Sequence, residues 1–223
     1  MTGSQLLEQR RLRKWEQTDA AAKLRVSQPY LSLIEAGKRP VTKKLARRAV
    51  RVFNLPPTAL PLEEKSAASK SADLFASQLA ALGYPKFSHL KKTKPVNPVQ
   101  LLIMALKTDD LESRLVEALP WLIMSFPELD WNLVVETAKL ADAQNRLGFL
   151  IALACEKAEK ARDETKSQTF KDILSKLERS RLYCEDSFRR KTLTKAENEW
   201  LKENRPPLAK YWRVLSNLTA EYI

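Results

Sequence analysis

QTDAAAKLRVSQPYLSLIE, residues 17–35, is the stretch whose reading decides the fold. Its small and apolar residues fall at Ala21, Leu24, Val26, Leu31 and Ile34. Spacings of three within each half give two short helices, each with one buried stripe. Arg25-Val26-Ser27 interrupts the pattern between them, and the Ser27 hydroxyl suits the start of the second helix, where it can accept from free N–H groups. The residues left outside, Gln17, Ser27, Gln28 and Ser32, are polar and uncharged. A helix displayed for solubility carries Glu and Lys. These side chains instead suit hydrogen bonds to the edges of bases.

Working outward, residues 4–14 are expected to form a helix capped by Ser4, with Leu6 and Leu7 as anchors and Trp15 just beyond. The two central helices span about 17–24 and 28–35. Gly37 stands where a left-handed residue ends a helix, before the basic loop Lys38-Arg39-Pro40. A fourth helix over about 42–53 would bury Leu45, Ala49 and Val52. Asn54 ends it, and Pro56-Pro57 opens a last turn with Leu60. The charge is concentrated in this part of the chain. Residues 1–65 hold 14 Lys and Arg against 6 Asp and Glu, a net of +8, out of +12 for all 223 residues. A polyanion, nucleic acid first, is the partner such a balance implies; a merely soluble basic surface is the plain alternative.

These residues resemble the helix-turn-helix domain of the phage-repressor and Cro-like (XRE-type) family, over about residues 4–61. The string that carries the likeness is Arg10, Gln17, Ala21, Leu24, Val26-Ser27-Gln28, Tyr30-Leu31-Ser32 and Ile34-Glu35-Ala36-Gly37-Lys38-Arg39-Pro40. The resemblance implies five helices and a set of roles. Gln17 would hydrogen-bond a phosphate and fix register. Gln28 would read an adenine edge. Pro29 and Leu33 stand where relatives place base-contacting side chains, and here offer apolar contact, for example to a thymine methyl. Ser27, Tyr30 and Ser32 would reach phosphate or base. Lys38, Arg39, Lys43 and Lys44 would hold the flanking backbone. Arg10 and Glu35 correspond to a partly buried structural ion pair, and stranding one partner of such a pair costs about 3–5 kcal/mol. The plain readings are that Tyr30 and Leu33 pack or face solvent, and that each lysine is only solvated. Two departures stand out: Arg25 replaces the usual turn glycine, and Glu16 replaces the usual Thr or Ser before Gln17.

Residues 62–73, LEEKSAASKSAD, have no apolar stripe and read as a linker. Residues 74–223 then carry helical patterns at about 74–82, 100–107, 111–126, 131–142, 143–161, 168–190, 195–204 and 207–218, with no alternating β-branched runs. Pro120 should kink or restart its helix. Asp73, Asp130 and Thr194 are expected caps, the last in a capping box with Glu197. The apolar stretch from Leu101 to Leu153 is the expected core, taking in Trp121, Phe126, Trp131 and Phe149. The polar group Asp142, Gln144, Asn145 and Arg146 interrupts it, as a buried network or a recognition patch. Trp200, Tyr211 and Trp212 close the core or form a docking face.

Several classes find no support in the residues. Cys155 and Cys184 are too few and too distant for a metal cluster or disulfide framework; placed in helical patterns, they read as small apolar residues of a reducing cytoplasm. No run approaches the 18 or so apolar residues of a membrane span, and MTGSQLLEQRR lacks a signal peptide's apolar core. Around the single histidine, His89, no nucleophile arrangement or metal site is apparent. The expectation is therefore no enzyme, no cofactor and no metal. The segment Ala118–Ala154 and the tail pattern ENRPP, Trp212, Leu215, Asn217, Leu218 resemble helix-turn-helix proteins encoded beside nucleotidyltransferase-like toxins of the abortive-infection type. That likeness implies an antitoxin that binds a toxin protein and autoregulates its operon. Taken together, the sequence predicts an all-α chain: a five-helix helix-turn-helix domain (1–61), a linker (62–73) and a larger helical domain (74–223) for dimerisation or partner binding. The main functional expectation is a dimeric repressor acting on double-stranded DNA, and the antitoxin is the alternative.

Overall fold

Thr2 Oγ1 accepts from the Gln5 N–H at 3.3 Å, and Gln5 Oε1 accepts from the Thr2 N–H at 2.8 Å. This capping box, rather than Ser4, starts the first helix. The computed structural model describes residues 1–62, 71–91 and 93–222. In it α1 spans Gly3–Leu12. The chain divides into two compact units, Met1–Glu64 and Lys65–Ile223. Most of the expected linker, residues 63–70, lies outside the described residues, and Ala72 and Asp73 are already helical.

In the first unit α2 is Gln17–Leu24, α3 is Gln28–Glu35 and α4 is Lys43–Val52. Ser27 Oγ accepts from the Tyr30 N–H, and Thr42 Oγ1 from the Leu45 N–H. The fifth helix expected from the resemblance is a single 3-10 turn, Pro57–Ala59, held between prolines 56 and 61. Leu6, Ala20, Ala21, Leu24, Leu31, Ile34, Leu45, Ala49 and Phe53 form one buried cluster. Trp15 stacks on Phe53 at 5.3 Å. Leu45 and Ala49 are buried as expected, Val52 packs half-buried against the cluster, and Ala46 and Val50 widen the buried stripe of α4 on one side. Gly3 matters for close approach: a Cβ there would stand 1.9 Å from the Ile34 carbonyl oxygen, so only glycine lets α1 lie against the end of α3.

The second unit contains α5 (Ala72–Leu82), α6 (Pro98–Lys107), α7 (Ser113–Val116), α8 (Ala118–Ser125), α9 (Trp131–Leu140), α10 (Gln144–Lys160), α11 (Glu164–Glu178), α12 (Lys195–Asn204) and α13 (Pro207–Tyr211). Its organising element is α10, buried without a break from Gln144 to Cys155. A helix buried on every side belongs at the centre of its domain. Accordingly α8, α9, α11 and α13 pack around it. Trp212 lies against Gly148, where a Cβ would come within 2.3 Å of the indole ring.

Several expected boundaries shift for identifiable reasons. The helix expected over 111–126 is two helices that break at Glu117. Pro120 thereby falls in the first turn of α8, where its missing N–H costs nothing. Asp73 lies inside the first turn of α5 and pairs with Arg114; Ser71 holds the cap position without a side-chain bond. Asp130 and Thr194 cap α9 and α12 as expected. The helix expected over 168–190 starts earlier, where Asp163 Oδ1 accepts from the Lys166 N–H, and stops at Glu178. Residues beyond it surrender their backbone to α10: Gln144 Nε2 donates to the Ser180 carbonyl, and Asn145 bonds both the N–H and the C=O of Leu182. Gln144, Asn145 and Arg146 are therefore a buried network. Cys184 consequently lies exposed outside any helix, while Cys155 is buried. The helix expected over 207–218 ends at Tyr211. Trp212 and Phe149 are core; Trp121, Phe126 and Trp131 pack half-buried against it; Trp200 and Tyr211 are exposed. Among the described residues no strand forms beyond two isolated bridges, and no helix is long and apolar enough to cross a membrane.

Candidate nucleic-acid interface

The turn between α2 and α3 is built by backbone geometry. Val26 N–H reaches the Ala21 carbonyl and Arg25 N–H the Ala22 carbonyl, which places Arg25 in the left-handed region at φ 51°, ψ 51°. Arg48 of α4 then donates to the Leu24 and Arg25 carbonyls at 2.5 and 3.1 Å. The guanidinium thus closes a helix end and fixes the angle at which α3 leaves the turn. Sequence reading missed Arg48, because α4 is KKLARRAVRV and its basic residues carry no individual signature. Arg13 was missed for the same reason. It donates to the Phe53 carbonyl and lies 5.1 Å over the Phe53 ring, tying α1 to the end of α4.

Four side chains form a continuous chain across α1, α2 and α3. Arg10 donates twice to Glu35, Nε to Oε1 at 2.8 Å and an Nη to Oε2 at 2.9 Å. Gln17 Nε2 donates to the same Oε2 at 2.9 Å, and Gln17 Oε1 accepts from Gln28 Nε2 at 2.5 Å. The Arg10 and Glu35 side chains keep only 15% and 4% of their exposure. Burial pushes the Glu35 carboxyl up, but hydrogen bonds from Arg10 and Gln17 and the charges of Arg10 and Arg11 outweigh it and hold the pKa below the ordinary glutamate range. The Glu35 hydrogen bond raises Arg10 in turn. The pair is therefore ionised and orients Gln17, which orients Gln28.

The remaining candidates divide by what they touch. Gln28 and Pro29 are exposed at the start of α3, and Leu33 is 36% exposed one turn on. Ser27 is exposed while serving as the cap, which still leaves its hydroxyl proton to donate. Ser32 and Tyr30 are half-buried, and the Arg39 guanidinium lies 5.8 Å over the Tyr30 ring. Past α3, Gly37 at φ 73° allows the Gly37 N–H to bond the Ile34 carbonyl and the Lys38 N–H the Leu33 carbonyl. This folds the basic loop back beside α3, with Lys38 and Arg39 exposed. Lys43 and Lys44 are exposed in the first turn of α4. Glu16 is exposed at the start of α2 and makes no capping bond.

The model of the helix-turn-helix family matches residues 6–60. That span covers α1 to the 3-10 turn, so the first unit is a helix-turn-helix domain. Such a domain supports a DNA-binding regulator of the phage-repressor (XRE-like) type. No curated protein and no solved structure matches the chain.

Proposed function

We propose that the protein is a sequence-specific transcriptional regulator of the cytoplasm that binds operator DNA as a dimer and represses. The observation that carries this reading is the Arg10–Glu35–Gln17–Gln28 chain. It is costly to bury an ion pair, and this one delivers a single product: an exposed amide held at a fixed angle at the start of α3. Gln28 uses one N–H on Gln17. Its other N–H and its oxygen are left for adenine, which presents N7 as acceptor and its N6 amine as donor in the major groove. Gln17, at the start of α2, lies beside it for a phosphate. Pro29 and Leu33 add apolar contact, Ser27, Tyr30 and Ser32 reach phosphate or base, and Lys38, Arg39, Lys43 and Lys44 hold the flanking backbone. With no polar reader at positions 29 and 33, sequence choice leans on Gln28, methyl contacts and DNA shape.

A dimer reads two half-sites about one helical turn, ~34 Å, apart. Selection of bound duplexes from a random pool tests the reading. The expected product is a two-fold-related pair of half-sites at that spacing; recovery of no common sequence would contradict it.

A further inference from the structure

The second unit holds a segment of chain in a way its apolar core does not need. Three successive residues of α10 reach the stretch 180–186: Gln144 bonds the Ser180 carbonyl, Asn145 clamps Leu182, and Arg146 Nε lies 3.0 Å from Asp186 Oδ2 with both side chains 2% exposed. Apolar residues would fill this space at lower desolvation cost. The network instead pins this segment at Ser180, Leu182 and Asp186, and leaves Arg181, Tyr183 and Glu185 exposed. A second stretch runs beside it, since the Asp186 N–H bonds the Arg213 carbonyl and the Leu215 N–H bonds the Asp186 carbonyl. Between the pinned segment and residues 211–213 the side chains pair as cation and ring. Arg181 lies 4.4 Å over Tyr211, and Arg213 lies 4.2 Å over Tyr183. Tyr183 is 85% exposed, so its face away from Arg213 is open.

Two of the neighbouring carboxylates are engaged. Glu178 accepts from the Tyr211 hydroxyl at 2.7 Å, and Glu185 is held by Arg205 and Lys202 at 2.6 and 3.9 Å. Segments 176–185 and 200–213 together carry seven Lys and Arg against three Glu. Charge alone would suit any anion. Flat rings interleaved with guanidinium planes on a basic surface suit an anion that also has flat faces. We propose that this Arg–Tyr platform binds single-stranded nucleic acid, with an unpaired base stacked on Tyr183 and the adjoining phosphates beside Arg181 and Arg213. A duplex keeps its base faces stacked inside and does not serve. The proposal stands apart from the operator reading, because all its residues lie in the second unit.

The test titrates the full chain against fluorescein-labelled oligo-dT and oligo-U of about a dozen nucleotides, followed by anisotropy. Binding of either strand is expected, and the tighter one identifies the source as DNA or RNA. Tyr183→Ala should weaken it about tenfold, and Tyr183→Phe should preserve it, because stacking uses the ring and not the hydroxyl. Tyr183→Ala should leave operator-duplex binding unchanged, which separates the platform from the helix-turn-helix unit. Unchanged melting of Tyr183→Ala will show that it is folded. Equal binding by wild type and Tyr183→Ala overturns the proposal. So does full displacement of the oligonucleotide by poly-glutamate at matched charge, which would make the surface an acceptor for acidic protein.

Discussion

The Gln17 amide donates to the Glu35 carboxylate at 2.9 Å, so the residue that starts one helix of the motif is held by the charge that ends the other. Reading side chain and structural ion pair are therefore one assembly, joined through two hydrogen bonds to Gln28.

Glu35→Gln should strand the Arg10 guanidinium and destabilise the first unit by about 3 kcal/mol, at the low end for a buried pair because Arg10 keeps some solvent contact. The pH dependence has a definite sign. The Glu35 pKa is lowered in the folded chain, so its contribution is complete above the ordinary glutamate range and is lost as pH falls through the lowered value. Amide hydrogen exchange in α1–α4 should report a loss of protection as pH falls through that window, and Glu35→Gln should flatten it.

Arg25 carries a Cβ in the left-handed region at φ 51°. Arg25→Gly should stabilise the first unit by about 0.5–1 kcal/mol, the relief of strain exceeding the backbone entropy that glycine adds. Arg25→Val should destabilise it, since a β-branched side chain is worse placed there. Denaturant midpoints of the two variants check both directions.

Gly148→Ala should be the most damaging small substitution in the second unit. A methyl group there meets the Trp212 ring at 2.3 Å, and both helix and ring are buried. A loss of about 1–3 kcal/mol is expected from overpacking, with a change in Trp212 fluorescence as the ring is displaced.

Much of the first unit was legible because its boundaries are written in single residues. Ser27 caps α3, Gly37 ends it, and α2 and α3 run over the residues their apolar spacing marks out. The candidate interface was legible as types and positions, but the contacts were not. Gln17 reads as a phosphate ligand in sequence; its bonds to Glu35 and Gln28 depend on the angle between two helices. The end of α11 was hidden for a similar reason. Leu174 and Leu177 continue as an apolar pattern into Leu182, yet Asn145, 37 residues away, captures the Leu182 backbone, and the helix stops before it. Exposure of Trp200 and Tyr211 beside a buried Trp212 follows from packing against Gly148, which no local pattern encodes.

The measurement that tests the central claim most directly is a comparison of Gln28→Ala and Lys43→Ala on the selected operator and on single-base variants of it. Gln28→Ala should lose about 1–3 kcal/mol and relax preference at one base pair in each half-site. Lys43→Ala should weaken every sequence alike and reduce the salt slope by about one. Unchanged affinity and unchanged base preference in Gln28→Ala would contradict the assignment of α3 as the reading helix.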